Sequence, residues 1–222
     1  KPVSQKTLSG TTRPATDSPE QIAFVKQRAA EACGVHVWPI GAVTRGQQGQ
    51  ELTDFEALKG AGAVALSDDG VPVQNANLMR DGLILAHRQN LTILSHCEDA
   101  DMVRNYAVNE GRVSRALGLP GRPAIAEEIM VMRDAMLAEE TGAAVHICHV
   151  STAGSVEIIR QFKKKGVAIT CETCPQYFTL TEDKVLEQGS LARVNPPLRT
   201  KLDVEAILEG LRDGTIDVIA TD

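Results

Sequence analysis

Short apolar runs at residues 35–40, 63–67, 91–95, 145–148, 167–171 and 218–221 punctuate this chain of 222 residues, and each is followed by a helical stretch or reaches the chain end. That alternation is the signature of parallel strands joined by crossover helices, an α/β domain. Aromatic residues make up only 3% of the chain while Ala, Val, Ile and Leu recur throughout, and such an aliphatic core suits strands covered by helices. Ser18 caps the first helix, with Pro19 at its first position and Gln21 completing an S-x-x-Q capping box; Gly34 stops it. Thr53 and Glu56 make a second capping box, and the longest helix spans about residues 124–140. Residues 1–17, rich in Lys, Ser, Thr and Gly, are read as an irregular or disordered lead-in to a domain covering 18–222. The stretch holding Pro175, Pro196 and Pro197 is read as irregular as well.

Charge narrows the partners. Lys+Arg number 23 against 29 Asp+Glu, a net charge of -6, so nothing electrostatic favours nucleic acid or an acidic membrane surface. No run approaches the roughly 20 apolar residues that a bilayer span requires. The chain is read as soluble and cytoplasmic, with a small molecule as its partner. Its five cysteines, an odd number placed mostly in strand-like runs, read as buried reduced thiols.

The metal-competent side chains lie at strand ends. Asp69, His96, His149 and Asp222 each stand at the C-terminal end of a different expected strand. In α/β barrels those ends converge on one mouth, which carries the active site. Two imidazoles and two carboxylates suit Zn²⁺ or a similar divalent ion, and hydrolysis is the natural chemistry of such a set. The other histidines serve as controls. His146 lies three residues before His149, which strand alternation places on the opposite face; His87 falls on a helix and His36 opens a strand, so all three are read as structural. Cys171 and Cys174 form a lone C-x-x-C that ends a strand rather than opening a helix, and are read as structural too.

The stretches ALSDDG (65–70), LSHCED (94–99), HICHVST (146–152), RVNPPLRT (193–200) and DVIATD (217–222) occur in an order and spacing that resembles bacterial type I dihydroorotase, of the amidohydrolase superfamily. The likeness runs from about Thr11 to the last residue. It implies a partial (β/α)8 TIM barrel. It implies that Asp69 bridges two zinc ions, that His96 and His149 ligate one of them, and that Asp222 is both a ligand of the other and the catalytic acid/base. Asp68 competes for the bridging role, and Asp69 is preferred because it abuts Gly70, as in the family motif. Asn195 is implied to hold substrate. Thr11 stands where the family has a substrate-contacting asparagine. The family's H-x-H-x-R strand is absent, as is the H-x-P-H expected after Asp222, so the chain is read as a fragment that holds at most one weak zinc and is inactive alone. For the intact protein the implied reaction is reversible hydrolysis of dihydroorotate to N-carbamoyl-aspartate in pyrimidine biosynthesis, by a homodimer or a complex with aspartate transcarbamoylase. Two alternatives stand beside it. One is a non-catalytic dihydroorotase-like subunit that scaffolds aspartate transcarbamoylase; the other is a hydantoinase- or allantoinase-type cyclic amidohydrolase, to which CETCPQYFTLT (171–181) is equally similar.

Overall fold

The computed structural model describes residues 5–8, 12–32, 34, 36–103 and 108–221. Two of the expected site residues, Thr11 and Asp222, lie outside them. The chain divides into two compact units, Lys1–His96 with Glu140–Val145, and Cys97–Glu139 with His146–Asp222.

The first unit alternates strand and helix: β1 (Gln5–Leu8), α1 (Pro19–Ala32), β2 (His36–Gly41), α2 (Phe55–Ala61), β3 (Ala65–Leu66), α3 (Ala76–Arg88) and β4 (Ile93–Ser95). The strands lie in chain order and every neighbouring pair is parallel. Ile22, Leu58, Leu66, Leu83 and Ile93 are fully buried, so the helices cover the strands with aliphatic side chains. Gly41 lets α2 approach β2 closely, since a Cβ there would lie 2.9 Å from Leu58 Cδ1 and 3.3 Å from Leu66 Cδ2.

Local chemistry sets the helix ends. Ser18 accepts the N–H of Gln21 at 3.4 Å and Pro19 opens α1, as its sequence requires. At α2 the structure differs from the reading of Thr53 as cap. Asp54 accepts the Ala57 N–H at 3.0 Å, while Thr53 Oγ1 donates to the Ala42 carbonyl at 2.7 Å. Two good capping residues stand side by side there, and the loop after β2 claims the threonine. A second difference concerns the lead-in. Gln5–Leu8 runs as a strand in register with His36–Pro39, a pairing that no local apolar period announces.

The second unit holds β5 (Val108–Asn109), α4 (Arg112–Leu117), β6 (Gly121–Arg122), α5 (Ile125–Thr141), β7 (Val145–Ile147), α6 (Ala153–Lys164), β8 (Ile169–Thr173), α7 (Pro175–Thr179), α8 (Lys184–Gln188), α9 (Lys201–Arg212) and β9 (Val218–Ile219), with the unit boundary falling at the end of α5 and within β7. β7, β8 and β9 are successive neighbours, and β8 and β9 are parallel; β5 and β6 form a separate two-residue parallel pair. Thr152 caps α6 through the Ser155 N–H at 3.1 Å, and Thr200 and Asp203 form a capping box on α9. The segment read as irregular instead contains α7 and α8. It is anchored by Cys174, Tyr177, Ala192 and Leu198, with Tyr177 Oη donating to the Pro196 carbonyl at 2.9 Å. Among the described residues, no helix is long and apolar enough to cross a membrane.

Candidate active site

Asp68 and Asp69 follow β3 directly, and the structure separates them by their partners. Asp68 is buried and faces inward: it accepts the N–H of Val43 at 2.8 Å and that of Thr44 at 3.1 Å, and Thr44 Oγ1 also donates to it. Burial pushes its carboxyl above the ordinary 3.8, against the opposing pull of the Thr44 and Val43 hydrogen bonds. Asp69 faces the end of β4. Its Oδ1 lies 3.4 Å from Nδ1 of His96, whose side chain is 2% exposed against 20% for that of Asp69. Sealed imidazole and open carboxylate fit a divalent ion such as zinc, which takes N and O donors at about 2.0–2.2 Å. Asp68, whose oxygens are committed to the 43–44 backbone, does not fit that role.

His149 belongs to the second unit. It follows β7 by two residues, is 5% exposed, and adopts a left-handed backbone with φ of 38°. A non-glycine residue held there stores on the order of 1–3 kcal/mol and persists only where its surroundings fix it. Glu127, on the buried face of α5, supplies that constraint. Its carboxylate accepts the Ser151 N–H at 3.0 Å and the Thr152 N–H at 3.2 Å, and Ser151 Oγ donates to it as well. Arg199 closes the network: Nη2 stands 3.7 Å from Glu127 Oε2, Nε donates to Ser151 Oγ at 3.1 Å, and Nη1 donates to Asn109 Oδ1 at 2.9 Å. Glu128, one residue on, lies so near Gly154 that a Cβ there would sit 2.3 Å from its Oε1. Burial first, and the Glu127 charge second, push the Glu128 carboxyl up.

Asn195 is exposed and precedes Pro196 through a cis peptide bond. Its Oδ1 accepts from Arg122 Nη1, and the same nitrogen donates to Glu98 Oε2 at 2.5 Å. Burial lowers the Arg122 pKa from its ordinary guanidinium value, with the Glu98 charge opposing.

Glu127, Arg199, Arg122 and Glu98 are absent from the site as read from sequence. A signal for Glu127 does exist. It shares the buried face of α5 with Ala126, Met130, Val131, Asp134 and Ala138, and an acid at a core position of a helix demands a partner. The control histidines divide. His87 and His36 fall in α3 and at the start of β2 as expected, but His146 meets a second group of donors, Cys148 and Glu172. Cys171 and Cys174 are buried and share no disulfide; Cys171 Sγ lies 3.4 Å from the Thr215 carbonyl, which agrees with a structural reading.

The fold is that of an α/β chain whose parallel strands are joined by helices. Among solved structures it is similar to L-hydantoinase (dihydropyrimidinase) from Arthrobacter aurescens, with a TM-score of 0.82 at 20% identity over 98% of this chain and 50% of that one. D-hydantoinase (dihydropyrimidinase) from Thermus sp. superposes with a TM-score of 0.73 at 23% identity, again over 98% and 50%. This is the partial (β/α)8 class that the resemblance implies, and its parallel strands are those expected from the strand–helix alternation. Residues 3–155 match the family described as dihydro-orotase-like, and the chain belongs to that family. It is 54% identical over 215 residues to the dihydroorotase of Pelotomaculum thermopropionicum, covering 95% of this chain and 49% of that protein. With the dihydroorotase of Acetivibrio thermocellus it shares 50% identity over 211 residues, 95% and 50% of the two chains. The chain thus spans about half the length of the curated relatives it matches.

Proposed function

We propose that the full-length protein containing this chain is a dihydroorotase, hydrolysing the cyclic amide of dihydroorotate reversibly to N-carbamoyl-aspartate in the cytoplasm. The observation that carries this reading is identity of about half the residues with proteins named dihydroorotase. An aspartate after β3, next to His96, supports it further, since it stands in the ALSDDG stretch that carries the resemblance to dihydroorotase. Asp69, His96, His149 and Asp222 are the residues that would hold zinc. When bound, zinc would supply the Lewis acidity that hydrolysis of an amide near neutral pH requires. Asp222 takes the proton from the attacking water and returns it to the departing ring nitrogen. Asn195, presented by Arg122, orients the ring, and the resemblance to dihydroorotase assigns Thr11 to substrate binding as well. Homodimerisation or association with aspartate transcarbamoylase belongs to the same reading.

The test is a substrate panel on the full-length protein. Dihydroorotate should give the highest kcat/KM, ahead of hydantoin, dihydrouracil and allantoin, and Asn195→Ala should narrow that margin. A hydantoin or allantoin as best substrate would overturn the dihydroorotase reading and leave a different cyclic amidohydrolase.

A further inference from the structure

A second set of metal-competent donors lies in the second unit, on residues that the amidohydrolase reading leaves unused. Strand alternation puts them on one face. Val145 and Ile147 of β7 are buried, which turns His146 and Cys148 the other way; Cys171 and Thr173 of β8 are buried, which turns Thr170 and Glu172 to the same side. One donor atom each from His146, Cys148 and Glu172 falls within 4.8 Å of the other two.

The imidazole is already oriented for ligation. Thr170 Oγ1 lies 2.8 Å from His146 Nδ1, which commits that nitrogen to the hydroxyl and aims Nε2 at Glu172 Oε2, 3.5 Å away. A hydrogen bond would be shorter, at about 2.7–3.2 Å. Two ligands of a tetrahedral zinc, each about 2.0–2.2 Å from the ion, stand roughly 3.3–3.6 Å apart, which matches the observed spacing. The Thr170 contact is the kind of outer hydrogen bond that fixes ring orientation in zinc-binding histidines. Thiolate, neutral imidazole and carboxylate together carry two negative charges, matched by one divalent cation. The sulfur selects a borderline-soft metal over magnesium or calcium. Three protein ligands leave a fourth position for water or another ligand.

We propose that His146 Nε2, Cys148 Sγ and Glu172 form a Zn²⁺ site distinct from the ligands Asp69, His96 and His149. Occupancy would tie β7 to β8 directly ahead of the strained backbone at His149.

Co²⁺ titration of the 222-residue chain tests this, because a cysteine thiolate on cobalt gives an intense near-ultraviolet charge-transfer band that imidazole and carboxylate do not. The wild type should show the band. Cys148→Ser should abolish it, and His146→Ala and Glu172→Gln should each weaken Co²⁺ binding by at least about tenfold, while Asp69→Asn and His149→Ala leave the band in place. Thr170→Val should weaken binding by about 10–100-fold yet restore the full band at saturation, as a residue that orients a ligand would. Absence of the band in the wild type, its persistence in Cys148→Ser, or indifference to His146→Ala and Glu172→Gln would overturn the proposal. Should Cys148→Ser fail to fold, alkylation of the wild type decides: Zn²⁺ should slow modification of Cys148 at least about tenfold, mapped by peptide mass spectrometry, and an unchanged rate counts against the site.

Discussion

His96 Nδ1 lies 3.4 Å from Asp69 Oδ1, while Asp68, the adjacent residue, spends its carboxylate on the N–H groups of Val43 and Thr44. One aspartate faces the His96 imidazole and the other holds a loop. Asp68→Ala should therefore cost stability, about 1–3 kcal/mol for each N–H left buried without a partner. Asp69→Asn should leave the unfolding midpoint nearly unchanged and remove activity from the full-length enzyme. Urea unfolding alongside turnover separates the two; a stable Asp68→Ala protein would mean that the loop finds other partners.

The same burial gives Asp68 a pH signature. Its carboxyl is raised above 3.8 in the folded protein, so its contribution to stability is fully present below that value and is lost as pH rises through the higher folded pKa. The difference in unfolding free energy between wild type and Asp68→Asn should accordingly fall as pH increases from 3.8 upward. A difference that grows over that range would contradict the burial assigned to this group.

Glu127 and Arg199 form a buried pair whose hydrogen bonds end on Ser151, Thr152 and Asn109. Glu127→Ala strands the guanidinium and two N–H groups next to the left-handed His149, with an expected loss of about 3–5 kcal/mol. Glu127→Gln keeps the acceptor geometry in part and should lose less. Equal stability of wild type and Glu127→Ala in urea would show that the pair is dispensable.

Burial drives the Cys171 thiol up to about 12, so at pH 8 almost none of it is thiolate. Native protein treated with iodoacetamide should carry no label on Cys171 and full label after denaturation, read by peptide mass spectrometry. Rapid native labelling of Cys171 would revive a redox role for the C-x-x-C.

Much of the architecture was legible because the strands that matter are short apolar runs closed by polar residues, as at Ser95–His96 and Ile147–Cys148–His149. The two-residue ladder of β5 and β6 was not, since two residues carry no period. The five-residue α7 and α8 were hidden in a proline-rich segment whose order comes from tertiary anchors such as Tyr177 on Pro196. At the candidate site, residue type and strand-end position singled out Asp69 and His96, whose side chains lie 3.4 Å apart. The division of labour between Asp68 and Asp69 depends on which way two adjacent side chains point, which residue type alone does not reveal. Arg199 stood in the quoted stretch RVNPPLRT without a role because its partner, Glu127, lies far away in sequence.

The most direct measurement is formation of N-carbamoyl-aspartate from dihydroorotate by the full-length protein, before chelation, after it, and after return of Zn²⁺, in wild type and Asp69→Asn. The expected result is activity that disappears on chelation and returns with zinc in the wild type only. Activity that survives chelation, or that returns equally in Asp69→Asn, would contradict a zinc-dependent amidohydrolase built on Asp69.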